Sequence, residues 1–196
     1  FDCLVGSEMC IRDRYMASSF LAISSYMSAA PLNPSYKSEE YEFYLKDLNP
    51  KIVLVEKNSE NPVVDVAKKL KIELCEINPE KDGPSGIFNI YEKESKYSLP
   101  DENDEALVLH TSGTTSRPKI VPLTNKNIFS SAENISKSLN LSENDHCLNI
   151  MPLFHIHGLI AILASSMKAG ASVCASNGFN AIKFLDIAKS EKITWY

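Results

Sequence analysis

No apolar run in this 196-residue chain approaches the ~20 residues that a membrane-spanning helix requires. No long run of Lys or Arg exists either. The chain has 20 basic and 25 acidic residues and a formal charge of −5, which gives a nucleic-acid surface little support. Five cysteines are present (Cys3, Cys10, Cys75, Cys147 and Cys174). None stands at Cys-x-x-Cys spacing and no Cys/His pair reads as a zinc site. Free thiols in a reducing compartment are the expectation. Asn134-Ile-Ser136 and Asn140-Leu-Ser142 match glycosylation sequons, but with no secretory signal they read as chance matches. There is no internal repeat. There is also no Walker A loop: Gly113 has no second glycine five residues on, and Lys119 is followed by Ile120.

What the chain does have is the stretch Thr111-Ser-Gly-Thr-Thr-Ser-Arg-Pro-Lys119. It holds five hydroxyls, one glycine and two cations. It comes after a strand-like segment, Ala106-Leu107-Val108-Leu109. Hydroxyls donate hydrogen bonds, glycine lets backbone come close, and Arg117 and Lys119 bring positive charge. Those are the groups that hold a polyphosphate. Pro118 removes one degree of freedom from the loop. An ordinary surface turn uses the same residue types, but only two or three of them. A phosphate loop of a family other than Walker A is the better reading.

The length fits one domain or part of a larger one, and an apolar fraction of 44% allows a sizeable core. Residues 1–14 fit poorly with the rest of the chain. Val5-Gly-Ser-Glu-Met-Cys-Ile-Arg-Asp-Arg14 resembles translated sequencing adapter. Residues 1–14 are therefore expected to be a non-native leader, with a native terminus as the rival reading, and residues 15–196, by the resemblance described below, a partial N-terminal domain. Met16 to Ala30 reads as a buried helix stopped by Pro31 and Pro34. A helix capped at Ser38 runs to Asn49-Pro50, with Tyr41, Tyr44, Leu45 and Leu48 at helical spacing. Lys51–Glu56 and Ile72–Ile77 read as strands around a helix begun by Asn61-Pro62. Asn78 to Asn103 reads as an exposed connection, and strands resume at Glu105. Ile120–Leu123 reads as a strand. A helix capped by Thr124 or Asn125 runs to about Asn140. Beyond it, strands are expected at Cys147–Met151 and Ala171–Ala175, helices at His157–Lys168 and Asn180–Lys192, and Ile193 opens another strand. Alternation of strand and helix predicts a layered α/β domain with mostly parallel strands.

Two motifs and their order carry a resemblance. Thr111 to Lys119 resembles the phosphate-loop signature of the AMP-forming acyl-CoA synthetase (adenylate-forming) superfamily. Pro152-Leu-Phe-His-Ile-His-Gly158 resembles a second motif of that superfamily, and Pro31-Leu-Asn-Pro34 with Glu39-Glu-Tyr-Glu-Phe-Tyr-Leu45 a third. Within it, the oxalyl-CoA synthetase branch is the most similar, sharing Ser-Arg-Pro-Lys, Val-Pro-Leu-Thr and Phe-His-x-His-Gly. The resemblance covers residues 16 to 196. Members usually carry glycine where this chain has Ile120. If that site needs a positive φ, isoleucine is badly suited; if it opens a strand, isoleucine is well suited.

The resemblance implies ATP, Mg2+ and coenzyme A as cofactors or co-substrates, and a small carboxylic acid, with oxalate as the candidate, as substrate. Thr111, Ser112, Gly113, Thr114, Thr115, Ser116, Arg117 and Lys119 would hold the nucleotide phosphates. Lys119 matches the signature, whereas Arg117 sits at a variable position and is equally read as a solvated side chain. Lys119 and His155 would be catalytic, with His155 at the acyl site near the α-phosphate and His157 near the acyl pocket. A lone histidine in an apolar run is more often a core residue; two at i and i+2 between Pro152 and Gly158 are not arranged like one. The magnesium ligand, the adenine motif and the lid domain are expected beyond Tyr196, so the chain alone is expected to be inactive. Other adenylate-forming enzymes (medium-chain acyl-CoA, coumarate-type or amino-acid-adenylating) and a non-enzymatic fragment are the alternatives. The compartment is expected to be cytoplasm or peroxisome.

Overall fold

The computed structural model describes residues 3–6, 14–80, 84–90, 99–111, 117–176 and 179–196. In chain order the elements are β1 (Cys3–Gly6), α1 (Arg14–Ser24), β2 (Ser28–Ala29), α2 (Ser38–Leu48), β3 (Ile52–Glu56), α3 (Pro62–Leu70), β4 (Glu73–Pro79) and β5 (Phe88–Ile90). They continue with β6 (Glu105–His110), β7 (Ile120–Thr124), α4 (Asn125–Ser138), β8 (His146–Asn149), a π-helix over His157–Ala164, α5 (Ser165–Ala169), β9 (Ser172–Ala175) and α6 (Ala181–Ser190). One sheet has the order β5-β4-β3-β1-β2-β6-β7. Its five inner strands are parallel, and β5 and β7 join antiparallel at its two ends. A second sheet pairs β8 with β9 in parallel. The fold is α/β, as the alternation of elements predicts.

Strand alternation divides the first sheet's side chains between two cores. Val53 and Val55 face one way with Val108, under Tyr41 and Leu45 of α2 and Val63 and Ala67 of α3. Leu54 and Leu107 face the other way, under Phe20 of α1 and Leu159 and Leu163 of the π-helix. Helices thus cover both faces, as a parallel sheet requires.

Local chemistry sets the ends of the helices. The Glu40 carboxylate accepts from the Lys37 amide at 2.9 Å and so closes the first turn of α2. Lys37, not Ser38, is the cap residue, and Asn49 ends the helix in the left-handed region at φ 46°. Asn61 Oδ1 accepts from the Val63 amide at 3.0 Å to start α3, with Pro62 in the first position.

Three expectations are corrected. The apolar run from Met16 to Ala30 is not one helix. It breaks at Ser24, and Ser28–Ala29 pairs with β1 and β6. A continuous run of small apolar residues carries no period that separates a buried helix from a buried strand. The Ser25 hydroxyl, donating to the Leu21 carbonyl at 2.7 Å, marks the fraying end. Asn78 to Asn103 is not all connection, because Phe88–Ile90 pairs with Ile77–Pro79. The segment from His157 starts as a π-helix before it turns α at Ser165. Cys3–Gly6, to which the sequence assigns no element, pairs between β2 and β3. Near Ile193 a single parallel bridge, Cys147 to Trp195, extends the second sheet.

Candidate active site

Strands β6 and β7 form an antiparallel hairpin, and the hydroxyl-rich stretch is its loop. The ladder runs up to the pair His110 and Ile120. Beyond it the Thr111 amide donates to the Lys119 carbonyl at 2.9 Å, and the Lys119 amide donates to Thr111 Oγ1 at 3.0 Å. The two ends of the stretch are therefore fastened to each other. Ser112, Gly113, Thr114, Thr115 and Ser116 lie outside the described residues. Ile120 opens β7, and its φ is not positive. Of the two readings of that site, strand start is the observed one, and a β-branched residue suits it.

The second motif approaches the hairpin from the other side. Leu153 is buried with Leu159 and Leu163 in the core. The turn between them brings Phe154, His155 and Ile156 to a cleft of about 410 Å³. Pro31, Leu32 and Asn33 line it as well, together with Tyr36, Tyr44, His110 and Thr111. So the three motif segments meet at one cleft. His155 and Thr111 line it; His157 does not, and instead begins the π-helix as an exposed residue. Gly158 is required where it stands, because a Cβ there would lie 2.6 Å from the Pro152 carbonyl oxygen. Lys119 is exposed at the hairpin's downstream end.

The sequence did not single out Asp47, His110 or Tyr36, and it placed Tyr44 only on a helix face and in a motif, not at the site. Asp47 Oδ2 lies 3.2 Å from His110 Nε2, and Asp47 Oδ1 accepts from Arg117. The Arg117 guanidinium also sits over the Phe43 ring, 5.5 Å from its centre. Tyr44 meets His110 edge-on at 4.7 Å and stacks on Tyr36 at 4.8 Å. Burial raises the pKa of the Asp47 carboxyl, but hydrogen bonds from His110 and Arg117 outweigh it and the net direction is down. Burial, then a hydrogen bond with Tyr44, pushes the Tyr36 phenol up. One signal for Asp47 was available. It stands four residues after Phe43 and three after Tyr44, which puts all three on adjoining positions of one helix face.

Among the described residues no three His, Cys, Asp or Glu side chains converge on a metal-sized site. No helix among them is long and apolar enough to cross a membrane.

A family model described as "AMP-binding enzyme" matches residues 12–196. The oxalate–CoA ligase of Arabidopsis thaliana is 42% identical over 185 residues, covering 90% of this chain and 36% of the relative. The oxalate–CoA ligase of Saccharomyces cerevisiae is 33% identical, covering 85% of this chain and 36% of the relative. The chain thus spans about a third of the length of these relatives. Among solved structures, MatB of Rhodopseudomonas palustris shares the fold with a TM-score of 0.76 at 22% identity, over 96% of this chain and 37% of that one. The o-succinylbenzoate–CoA synthetase MenE of Bacillus subtilis, solved with ATP and magnesium, does so with a TM-score of 0.77 at 21% identity, over 99% and 49%. The family match over residues 12–196 establishes that the chain belongs to the AMP-binding enzyme family.

Proposed function

We propose that this chain serves an ATP-dependent ligase that joins a small carboxylic acid to coenzyme A, with oxalate as the first candidate. The observation that carries this reading is the fastened neck of the β6–β7 hairpin: Thr111 lines a cleft that His155 also lines, and the Lys119 amide is bonded to the Thr111 hydroxyl. In the first step a carboxylate oxygen attacks the α-phosphorus of ATP, the bond to the β-phosphate oxygen breaks, and pyrophosphate leaves. In the second, the coenzyme A sulfur attacks the acyl carbon, its proton is lost, and AMP leaves. Charge builds on the leaving pyrophosphate in the first step, so fixed donors and cations lower its barrier most. Lys119 is assigned that role, with Thr111, Ser112, Thr114 and Thr115 as donors to the phosphate oxygens and Gly113 giving close approach. Magnesium supplies further charge neutralisation in ATP reactions of this type, but the described residues offer no cage for it, and no step here depends on one.

Two things favour oxalate. The relatives at 42% and 33% identity are oxalate–CoA ligases. The cleft also carries His155, a polar ring that suits a short acid with a second carboxylate better than an alkyl chain. His157, outside the cleft lining, is proposed to influence the acyl pocket only through the position of its neighbour His155.

The deciding experiment is pyrophosphate exchange by a full-length ligase carrying this segment, with oxalate as the acid. Lys119→Ala is expected to slow exchange by one or more factors of ten, each worth about 1.4 kcal/mol. An unaltered exchange rate would remove Lys119 from the mechanism. Exchange with coumarate but not with oxalate would keep the ligase and replace its substrate.

A further inference from the structure

Asp47 joins two parts of the hairpin to a helix that is remote from both in sequence. It lies 63 residues from His110 and 70 from Arg117, and both converge on its carboxylate. His110 ends β6, and Arg117 lies two residues before Lys119 on the returning side. The Asp47 side chain is only 13% exposed and that of His110 8%. Arg117 is 70% exposed, yet it is held at two points, by the carboxylate and by the Phe43 ring one helical turn earlier on α2. Tyr44 closes on His110 from the same helix.

An isolated surface ion pair contributes little. This one differs because its acceptor is largely buried and has a second partner at 3.2 Å. A buried carboxylate that loses its partners is costly, so the arrangement resists opening. Arg117 directs a guanidinium nitrogen to α2, which turns that end of its side chain towards the helix.

We propose that Asp47 is a positioning residue for nucleotide binding: through His110 and Arg117 it locks both sides of the β6–β7 hairpin onto α2, so that Thr111 and Lys119 meet the polyphosphate in a fixed place. Arg117 is then a tether rather than a phosphate ligand. The inference rests on the ligase reading above for its nucleotide, but the mechanical link can be measured without catalysis.

The test uses Asp47→Asn in a full-length ligase carrying this segment, with two readouts. Amide hydrogen exchange at Thr111 and Lys119 reports the neck of the hairpin directly. Steady-state kinetics report KM for ATP separately from KM for the acid. Loss of hydrogen bonds to a charged partner predicts a rise of about tenfold in exchange at both amides and in KM for ATP, with KM for the acid unchanged. Arg117→Gln, an exposed substitution that leaves the core intact, is expected to move both readouts in the same direction by a smaller factor. It also decides the matter if Asp47→Asn does not fold. Unchanged exchange and unchanged KM for ATP would overturn the proposal. So would an Arg117→Gln enzyme whose kcat falls while exchange stays as in the parent, since Arg117 would then act on the phosphates. If the parent enzyme shows no ATP chemistry, increased exchange in the variants still supports the anchor, and the failure belongs to the ligase reading.

Discussion

Gly158 has no room for a methyl group. Its missing Cβ would sit 2.6 Å from a backbone carbonyl of Pro152, which cannot swing away as a side-chain tip would. Gly158→Ala is therefore expected to cost about 1–3 kcal/mol by overpacking and to displace the turn that carries His155. Chemical denaturation of parent and variant measures the first effect, and the pyrophosphate-exchange rate the second. An unchanged denaturation midpoint would mean that the turn relaxes freely. Ile120 makes the opposite case. The sequence left two readings for it, and the backbone chooses strand, with its side chain packed against the core beneath α2. Ile120→Gly is expected to destabilise this chain by about 1–2 kcal/mol through lost burial and greater chain freedom. Thermal unfolding checks it, and a gain in stability would show that the site prefers glycine. That the Pro31, Thr111 and His155 segments belong together was legible because each motif is a short stretch, and the structure brings all three to one cleft. Asp47 was not legible, since nothing local ties an aspartate on α2 to an arginine 70 residues away.

Elements were legible where a cap or a period marked them. The Thr124 hydroxyl accepts from the Asn127 amide at 3.2 Å, and Asn127 Oδ1 returns the bond to the Thr124 amide at 3.0 Å. This reciprocal pair starts α4 where the sequence placed a cap. Thr124→Ala is expected to lower stability by about 1 kcal/mol, read as a shift in denaturant midpoint at constant slope. No shift would mean that tertiary packing alone holds the helix start. Where neither cap nor period exists, the sequence misled. Ser28–Ala29 is a strand only because β1 and β6 flank it. Phe88–Ile90 is one only because β4 offers it an edge. The π-helix is likewise invisible beforehand, since an apolar run such as Gly158 to Ala164 does not reveal which backbone carbonyl each amide will reach.

Across the whole molecule, acidic groups link elements that are distant in sequence. Glu42 accepts from Lys46 on its own helix at 2.6 Å and from Lys69 on α3 at 2.7 Å, and these bonds lower its pKa to about 2. Asp145 is lowered by the Ser142 amide and the Thr194 hydroxyl, which tie the start of β8 to the strand-like segment near Trp195. Asp47 is lowered as well. A carboxyl whose pKa falls on folding contributes stability that is complete above its unfolded pKa and disappears as pH falls through its folded one. Unfolding midpoints are therefore expected to hold level near neutrality and to drop once pH passes below about 4.5, continuing towards pH 2. A stability maximum in that acid range would contradict the assignment of these links.

The seven-stranded sheet ends on β7, and Pro122 stands at the middle of that strand, opposite Val108. Proline has no amide hydrogen, so this border presents an interrupted row of donors to any passing chain. At the other border β5 is only three residues long. The hairpin that carries Thr111 and Lys119 thus returns along a strand whose row of amide donors is broken at Pro122.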